Sequence, residues 1–424
     1  MISQETARHS FLVLSSNVLK LGFGFITTMI LASGLGPVGF GQYSQVINLV
    51  LTVSALADFG INLTFVRLYG KRSDDPQDAR IFWSRGIFTI RILLSAVVTL
   101  FSLLLLPAIS MYVTSDEIRS TLVRLACLMI VGDGIFSFVL AVCQAGQKFK
   151  KYAILNPLPN IVRTVILGLM YLTQSMNVDT AVLAIIAAVT TGSLVSIVID
   201  PALRLRRIRR DDLDNFRGML GWGKWLLIQT IANTFMVKLD LIMLGYFDIS
   251  NDLIGNYALG LYFASLITIL QTTFITVLLP RVSALKSGQE VGRYMRRTFG
   301  MIMAIVSVVV CVGFGGSYAI RLFYGAEYPY ASSIFGYLII AFGASFIVTP
   351  ITILAFTFDF PQILAFQNIA AAVLVFGIQV LLIPLWGILG AAIAVVLART
   401  ISEGAAMIAV YARVNRDRDV MVHP

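Results

Sequence analysis

Phe40–Leu49, FGQYSQVINL, and Ile254–Phe263, IGNYALGLYF, share one register 214 residues apart, in which Gly41 falls on Gly255 and Tyr43 on Tyr257. In the same gapless alignment Val66-Arg67 falls on Pro280-Arg281. Three identities that keep both their spacing and their place along the chain point to a duplication. Whatever fold the first half takes, the second half takes again.

Composition says what is repeated. Of 424 residues, 58% are hydrophobic and 13% charged, the balance of a chain that crosses a bilayer many times. A hydrocarbon core of about 30 Å needs about 20 apolar residues per helix. Read with Gly, Pro and charge clusters as boundaries, hydropathy predicts twelve helices, near 10–34, 40–67, 84–108, 119–145, 152–174, 178–200, 221–247, 253–281, 297–319, 331–357, 361–385 and 388–412. The first run is read as a span and not a secretion signal, because it is longer than a signal's apolar region and Lys20 interrupts it. The longest polar interval, 204–217, is too short to bury a core of its own.

The expected architecture is therefore all-α: a polytopic membrane protein of twelve transmembrane helices in two six-helix bundles. An N-terminal lobe covers 1–203, a basic cytoplasmic linker 204–220 and a C-terminal lobe 221–424. An even number of spans separates the repeats, so the lobes share orientation about a pseudo-two-fold axis along the membrane normal. A cavity between such lobes can open to one side and then the other, which is a transporter plan.

Charge sets the orientation. Lys and Arg crowd the connections around 67–85, 148–151, 204–224 and 281–297 and the tail at 413–418, while the opposite connections hold only Arg119 and Arg321. Both termini are expected in the cytoplasm, and most of the net charge of +10 is topological information rather than a nucleic-acid patch. Trp83, Trp222, Trp225 and Trp386 fall at predicted helix ends, as headgroup anchors would.

Ten charges remain inside predicted spans: Lys20, Asp58, Arg91, Arg124, Asp133, Arg163, Lys238, Asp240, Arg399 and Glu403. Each costs about 2.5–3.5 kcal/mol at the bilayer centre, which disfavours lipid-facing positions. Arg91 and Arg124 lie close enough to span ends to snorkel toward headgroups. Arg399 and Glu403, spaced i, i+4, can neutralise each other or line a cavity. Lys238 and Asp240 are two residues apart, on different faces of a helix, so a local pair does not explain them. Lys20 and Arg163 are the deepest cations without an acidic neighbour on the same helix. Asp58 and Asp133 are either their structural partners or titrating proton or sodium sites. Deep cations in both halves, Lys20, Arg163, Lys238 and Arg399, lean toward an anionic substrate.

Signs of an enzyme are missing from the sequence. The histidines are His9 and His423 alone, and no metal-ligand spacing, nucleophile elbow or phosphate-binding glycine loop is present. Gly22-x-Gly24 inside a span reads as helix packing. Cys127 and Cys143, sixteen residues apart on one helix, are about 24 Å apart and beyond disulfide reach. No metal or cofactor is expected.

ILASGLGPVGFGQYSQVINL followed by LADFGINLTFVR (Leu56 to Arg67) resembles the amino-terminal signature of Wzx-type polysaccharide and O-antigen flippases, within the multidrug/oligosaccharidyl-lipid/polysaccharide (MOP, MATE-like) exporter superfamily. VKLDLIMLGYF (Val237 to Phe247) and LLIPLWGILGAAIAVVLAR (Leu381 to Arg399) resemble that family's seventh-to-eighth and eleventh-to-twelfth span patterns. The turn Phe358-Asp359-Phe360-Pro361 departs from the repeat, lacking the basic residues of its counterpart near Lys148. The resemblance implies a carrier that moves undecaprenyl-diphosphate-linked oligosaccharide repeat units from the cytoplasmic to the periplasmic leaflet of the bacterial inner membrane. It works by alternating access through a cationic central cavity, for exopolysaccharide, lipopolysaccharide O-antigen or capsule. It places Lys20, Arg163, Lys238 and Arg399 as substrate-binding candidates and Asp58, Asp133, Asp240 and Glu403 as candidates for ion coupling or structure. It implies as partners the lipid-linked oligosaccharide, membrane lipids, a polysaccharide polymerase and a chain-length regulator. A multidrug cation antiporter on the same fold is the alternative, and a membrane glycosyltransferase or polymerase a more remote one.

Overall fold

The computed structural model describes residues 4–71, 77–113, 117–199, 205–283, 288–357 and 362–422. Arg204, the Phe358–Pro361 turn and His423 lie outside them. Every regular element among the described residues is an α-helix, and nine segments there are long and apolar enough to cross a membrane. Two of these exceed a single crossing: Phe11–Val66 has 56 residues and Ala365–Val414 has 50. Both are interrupted. Helix α1 (Gln4–Leu56) breaks at Gly36, with φ 64 and Pro37 next to it. Helix α15 (Gln362–Val422) breaks at Gly387, with φ 55. A left-handed φ suits glycine, and the proline that follows Gly36 has no N–H to continue the ladder.

The chain divides into two compact units, Met1–Thr234 and Phe235–Pro424. The division falls inside α9 (Arg210–Tyr246), downstream of the link expected at 204–220. That link is part helix and part clamp. Asp211 and Asp212 occupy the first turn of α9, where the positive end of the helix dipole favours acids. Asp212 accepts the Arg209 N–H at 2.7 Å and both Arg206 Nη groups at 2.6 and 2.8 Å. The Arg206 guanidinium also donates to the Phe82 carbonyl at 3.1 Å and lies 3.9 Å from the Phe82 ring centroid, which docks the segment on α3 (Gln77–Val113). Burial pushes the Asp212 carboxyl up; the Arg206 and Arg209 hydrogen bonds and charges outweigh it and hold the group below the usual carboxylate range.

In unit 1 the core gathers aromatic rings from α2 (Ile61–Lys71), α3 and α5 (Met129–Ala145). Phe65 stacks on Trp83 at 5.0 Å and meets Phe138 at 4.9 Å. Trp83 is therefore a core residue, 4% exposed, and not a headgroup anchor as its position near a span end predicts. Trp386, beside the Gly387 break, is exposed, and the side chains of Trp222 and Trp225 lie outside the described ones. Around this core, α1 packs on α6 (Phe149–Leu155) and α7 (Leu158–Leu172), and α8 (Val178–Ile199) packs on α5 and α7.

The second predicted span, 40–67, is not continuous. Helix stops at Leu56 and restarts at Ile61, with positive φ at Phe59 (46) and Gly60 (64). Backbone freed inside a membrane must find partners. Arg91 Nη1 donates to the Ala57 carbonyl at 2.5 Å, and the Asp58 carboxylate lies 3.4 Å from Arg91 Nη2.

Unit 2 is built on α13 (Ala331–Thr352), which is apolar on all sides and packs against α10 (Asn251–Ser265), α12 (Gly288–Tyr324) and α15. The α10 contact is close: a Cβ at Gly260 would lie 2.9 Å from the Ala331 carbonyl oxygen and 3.0 Å from the Phe335 nitrogen. Glycine at that point lets two backbones touch.

Candidate functional site

The eight charged candidates separate into two sets, one within each unit. In unit 1, Lys20 lies on α1 and Arg163 on α7, and the same helix pair is joined by a ladder of uncharged polar side chains. Asn156 Nδ2 donates to Asn17 Oδ1 at 2.8 Å, Asn160 Nδ2 to the Lys20 carbonyl at 2.7 Å, and Thr164 and Thr27 hydroxyls meet at 2.7 Å. Asn160 and Thr164, at i, i+4 on α7, share one helical face, and Asn156 precedes them in the turn between α6 and α7. The periodicity is legible in the sequence, but a search for ions passes over Asn and Thr.

Lys20 has an exposed side chain and lies in the field of Asp133. Arg163 is half-buried. Its Nη2 donates to the Tyr43 hydroxyl, its guanidinium carbon lies 5.5 Å from the Tyr43 ring centroid, and its Nε has no hydrogen-bond partner. Among the described residues no carboxylate is in ion-pair range of Lys20 or Arg163. The acids of this unit are engaged elsewhere. Asp58 pairs with Arg91, and Asp133 accepts the Ser54 hydroxyl at 2.5 Å. Arg91 is 1% exposed, so the expectation that it snorkels to headgroups is corrected: the break at Ala57–Gly60 holds it inside. Arg124 is exposed at the last turn of α4 (Glu117–Cys127).

In unit 2, Asp240 of α9 is 2% exposed and fully engaged. Its two oxygens accept the Tyr257 hydroxyl of α10 and Gln379 Nε2 of α15, each at 2.8 Å. Arg399, 6% exposed, lies near both Asp240 and Glu403 and stacks on Phe342 with 4.3 Å between guanidinium and ring centroid. Glu403 faces Ser345, Gln367 and Arg399. Three helices are thus pinned at one carboxylate. Lys238, on another face of α9, is half-buried. Tyr257 is conspicuous in the sequence as a repeat position, whereas Gln379, 139 residues from its partner, carries no signal there. A cavity of about 570 Å³ in unit 2, with Arg296, Phe299 and Tyr411 among its lining residues, includes none of the eight candidates.

Among the described residues no group of three His, Cys, Asp or Glu side chains is arranged to hold a metal ion. The chemistry available to these residues is electrostatic: fixed cations, paired acids and amide or hydroxyl donors inside apolar helices.

The family model described as Polysaccharide biosynthesis protein matches residues 6–286. The chain belongs to that family. No curated protein sequence matches it. Among solved structures, an inward-facing multidrug resistance MATE family transporter of the MOP superfamily is similar at a TM-score of 0.73 and 14% identity, over 96% of this chain and 98% of that one. The lipid II flippase MurJ in an inward closed conformation has a TM-score of 0.73 and 12% identity, over 96% of this chain and 87% of that one. A MOP superfamily transporter from Pyrococcus furiosus, whose binding pocket of reverse polarity suggests a different function, has a TM-score of 0.65 and 14% identity, over 96% of this chain and 95% of that one. Polysaccharide biosynthesis is thus the family setting, and the fold is one used by membrane transporters and flippases.

Proposed function

We propose that this protein flips an undecaprenyl-diphosphate-linked oligosaccharide repeat unit from the cytoplasmic to the periplasmic leaflet of a bacterial inner membrane, with twelve spans in two six-helix bundles over 1–203 and 221–424 and both termini in the cytoplasm. The observation that carries the reading is the sign of what remains after local pairing. Asp58 is matched by Arg91, and Asp240 by Tyr257 and Gln379 with Arg399 nearby. Asp133, held by the Ser54 hydroxyl, is one acid of unit 1 without an ion pair among the described residues, against two such cations. Lys20 and Arg163 have no carboxylate in ion-pair range among the described residues. A diphosphate cannot enter hydrocarbon unaided, so fixed ammonium and guanidinium groups must replace its water and counterions.

In unit 1 Lys20 and Arg163 take the phosphate oxygens, arginine as a fork and lysine as a point charge, and in unit 2 Lys238 is a further candidate cation. Arg399, near Asp240 and Glu403, serves to hold those acids in place. Alternating exposure of these groups to the two faces carries the headgroup while the polyprenyl tail stays in lipid. With the cell interior negative, outward movement of two negative charges is favoured by about 4.6 kcal/mol at 100 mV, so the membrane potential is the proposed driver, and a proton or sodium gradient is not required. The lipid-linked substrate would pass from this protein to a polymerase and its chain-length regulator.

Proteoliposomes loaded with a fluorescent polyprenyl-diphosphate glycan test this directly. With an imposed potential and no ion gradient, outward flipping is expected for the wild type and a large loss for Lys20→Gln and Arg163→Gln. Zero flipping in the wild type under potential alone removes the potential as sole driver; full activity in both variants removes the cationic site. The second reading, a multidrug cation antiporter, draws on a MATE neighbour whose TM-score equals that of the flippase, 0.73. It requires a deep carboxylate without an ion pair as the drug site, and Asp133, held by the Ser54 hydroxyl, is its candidate. A deletion strain that gains drug sensitivity while its surface polysaccharide stays intact would favour it.

A further inference from the structure

The two tyrosines of the internal repeat occupy the same register, and the structure gives each of them an ion. Tyr43 is 1% exposed and Tyr257 fully buried. Tyr257 donates its hydroxyl to the Asp240 carboxylate. Tyr43 accepts from the Arg163 guanidinium, and its ring lies beside the same group. The duplicated scaffold thus holds an anion in one unit and a cation in the other. In unit 2 the ion has its remaining partners at hand, Gln379 and Arg399. In unit 1 the ion is Arg163, which has no carboxylate in ion-pair range among the described residues; its Nε, like those of Arg91 and Arg399, is buried without a hydrogen-bond partner.

A buried guanidinium N–H without an acceptor costs free energy unless a ligand supplies one. An arginine also gains geometric specificity for phosphate only when its planar fork is held in one orientation. Tyr43 does this through its hydroxyl, which accepts from one Nη, with its ring centroid 5.5 Å from the guanidinium carbon. We propose that Tyr43 is a positioning residue that orients the Arg163 guanidinium for the phosphates of the lipid-linked substrate, and that the repeat-related Tyr257 serves structure through Asp240. This rests on the flippase reading and adds to it the residue that gives the site its preference for a diphosphate over a monophosphate. A guanidinium free to turn settles on two oxygens of one phosphate, whereas one held in a fixed orientation can span oxygens of both linked phosphates.

The test measures binding of dansylated geranylgeranyl diphosphate and dansylated geranylgeranyl monophosphate to the purified full-length protein in neutral detergent. Tyr43→Phe keeps the ring and removes the acceptor. It is expected to weaken diphosphate binding about tenfold, the scale of one hydrogen bond to a charged group, to leave monophosphate binding within about twofold, and to preserve the thermal midpoint. In an Arg163→Gln background the same change is expected to add nothing, because a positioning residue acts only through the group it positions. A structural role instead gives additive losses and a lowered midpoint, which overturns the proposal. Arg163→Lys supplies an independent check: it keeps the charge without the fork, and retention of wild-type diphosphate preference in that variant also overturns the proposal. If Arg163→Gln weakens binding and Tyr43→Phe does not, this inference fails while the flippase reading stands. If the wild type binds neither lipid, both fail.

Discussion

Neutralising Asp58 while keeping its shape, as Asp58→Asn does, leaves Arg91 buried at 1% exposure beside a helix break. The ion pair at 3.4 Å is lost, and the other acid nearby, Asp133, is out of ion-pair range. Removing one member of a buried pair costs about 3–5 kcal/mol because the other charge is left uncompensated. Unit 1, Met1–Thr234, falls in the size range where each kcal/mol moves the unfolding midpoint by about 2–4 °C, so a fall of about 6–20 °C is expected. Arg91→Met removes the pair and also the donor to the Ala57 carbonyl, which adds an unsatisfied backbone group worth about 1–3 kcal/mol. The double variant Asp58→Asn/Arg91→Met buries no charge at this point and is expected to be more stable than the sum of the single losses. Tryptophan fluorescence of the detergent-purified protein reads the transition, since Trp83 stacks on Phe65 in the unit 1 core. A midpoint for Asp58→Asn within about 2 °C of wild type, or strict additivity in the double variant, would refute the view that Arg91 is held inside by this pair and this break.

Gly260→Ala places a methyl group against the backbone of α13 and is expected to cost about 1–3 kcal/mol; Gly336→Ala, where nothing lies within 4 Å, is the matched control, and equal midpoints for the two variants contradict the close approach. The Arg206–Asp212 clamp predicts a pH profile. The folded carboxyl of Asp212 sits below its ordinary value, so the stability it contributes is present above the unfolded pKa of about 3.9 and is lost as pH falls through the folded value. The midpoint difference between wild type and Asp212→Asn should therefore stay constant from pH 8 to pH 5 and shrink below pH 4. A difference that grows on acidification contradicts the assignment.

The helical, membrane-spanning character of this chain follows from bulk properties. Apolar runs and alternating basic connections are set by many residues at once, and no single contact can overturn them. The breaks are a different matter. Gly36-Pro37 is a readable stop, but the interruption at Ala57–Gly60 places a left-handed φ on Phe59, a residue with no preference for it. Only the tertiary partner Arg91, from another helix, satisfies the freed carbonyl. The site shows the same division. Every ion is visible in the sequence because ions are rare in spans, yet their partners are Arg91 for Asp58 and Gln379 for Asp240, on helices whose facing surfaces hydropathy does not describe. The Asn156, Asn160 and Thr164 ladder stayed hidden because uncharged polar groups cost too little to stand out.

Counting deep cations treats Lys20, Arg163, Lys238 and Arg399 as equals, and the packing does not. A buried ion pair returns little net stability against a hydrophobic replacement. Asp58–Arg91 and the Asp240–Tyr257–Gln379–Arg399 set are therefore better understood as devices that fix geometry, one at a broken helix and one where α9, α10 and α15 meet. Once these acids are assigned, unit 1 keeps two cations without an ion pair among the described residues, Lys20 and Arg163, against one such acid, Asp133, so the balance is positive. The repeat supplies the contrast that gives this weight. The same tyrosine register closes on a neutralised anion in unit 2 and on an unbalanced guanidinium in unit 1. A duplicated scaffold needs only one of its halves to stay locked, and the other half is then free to hold its ion for a ligand. An anionic ligand is the one this balance fits, as the proposed flippase reading requires.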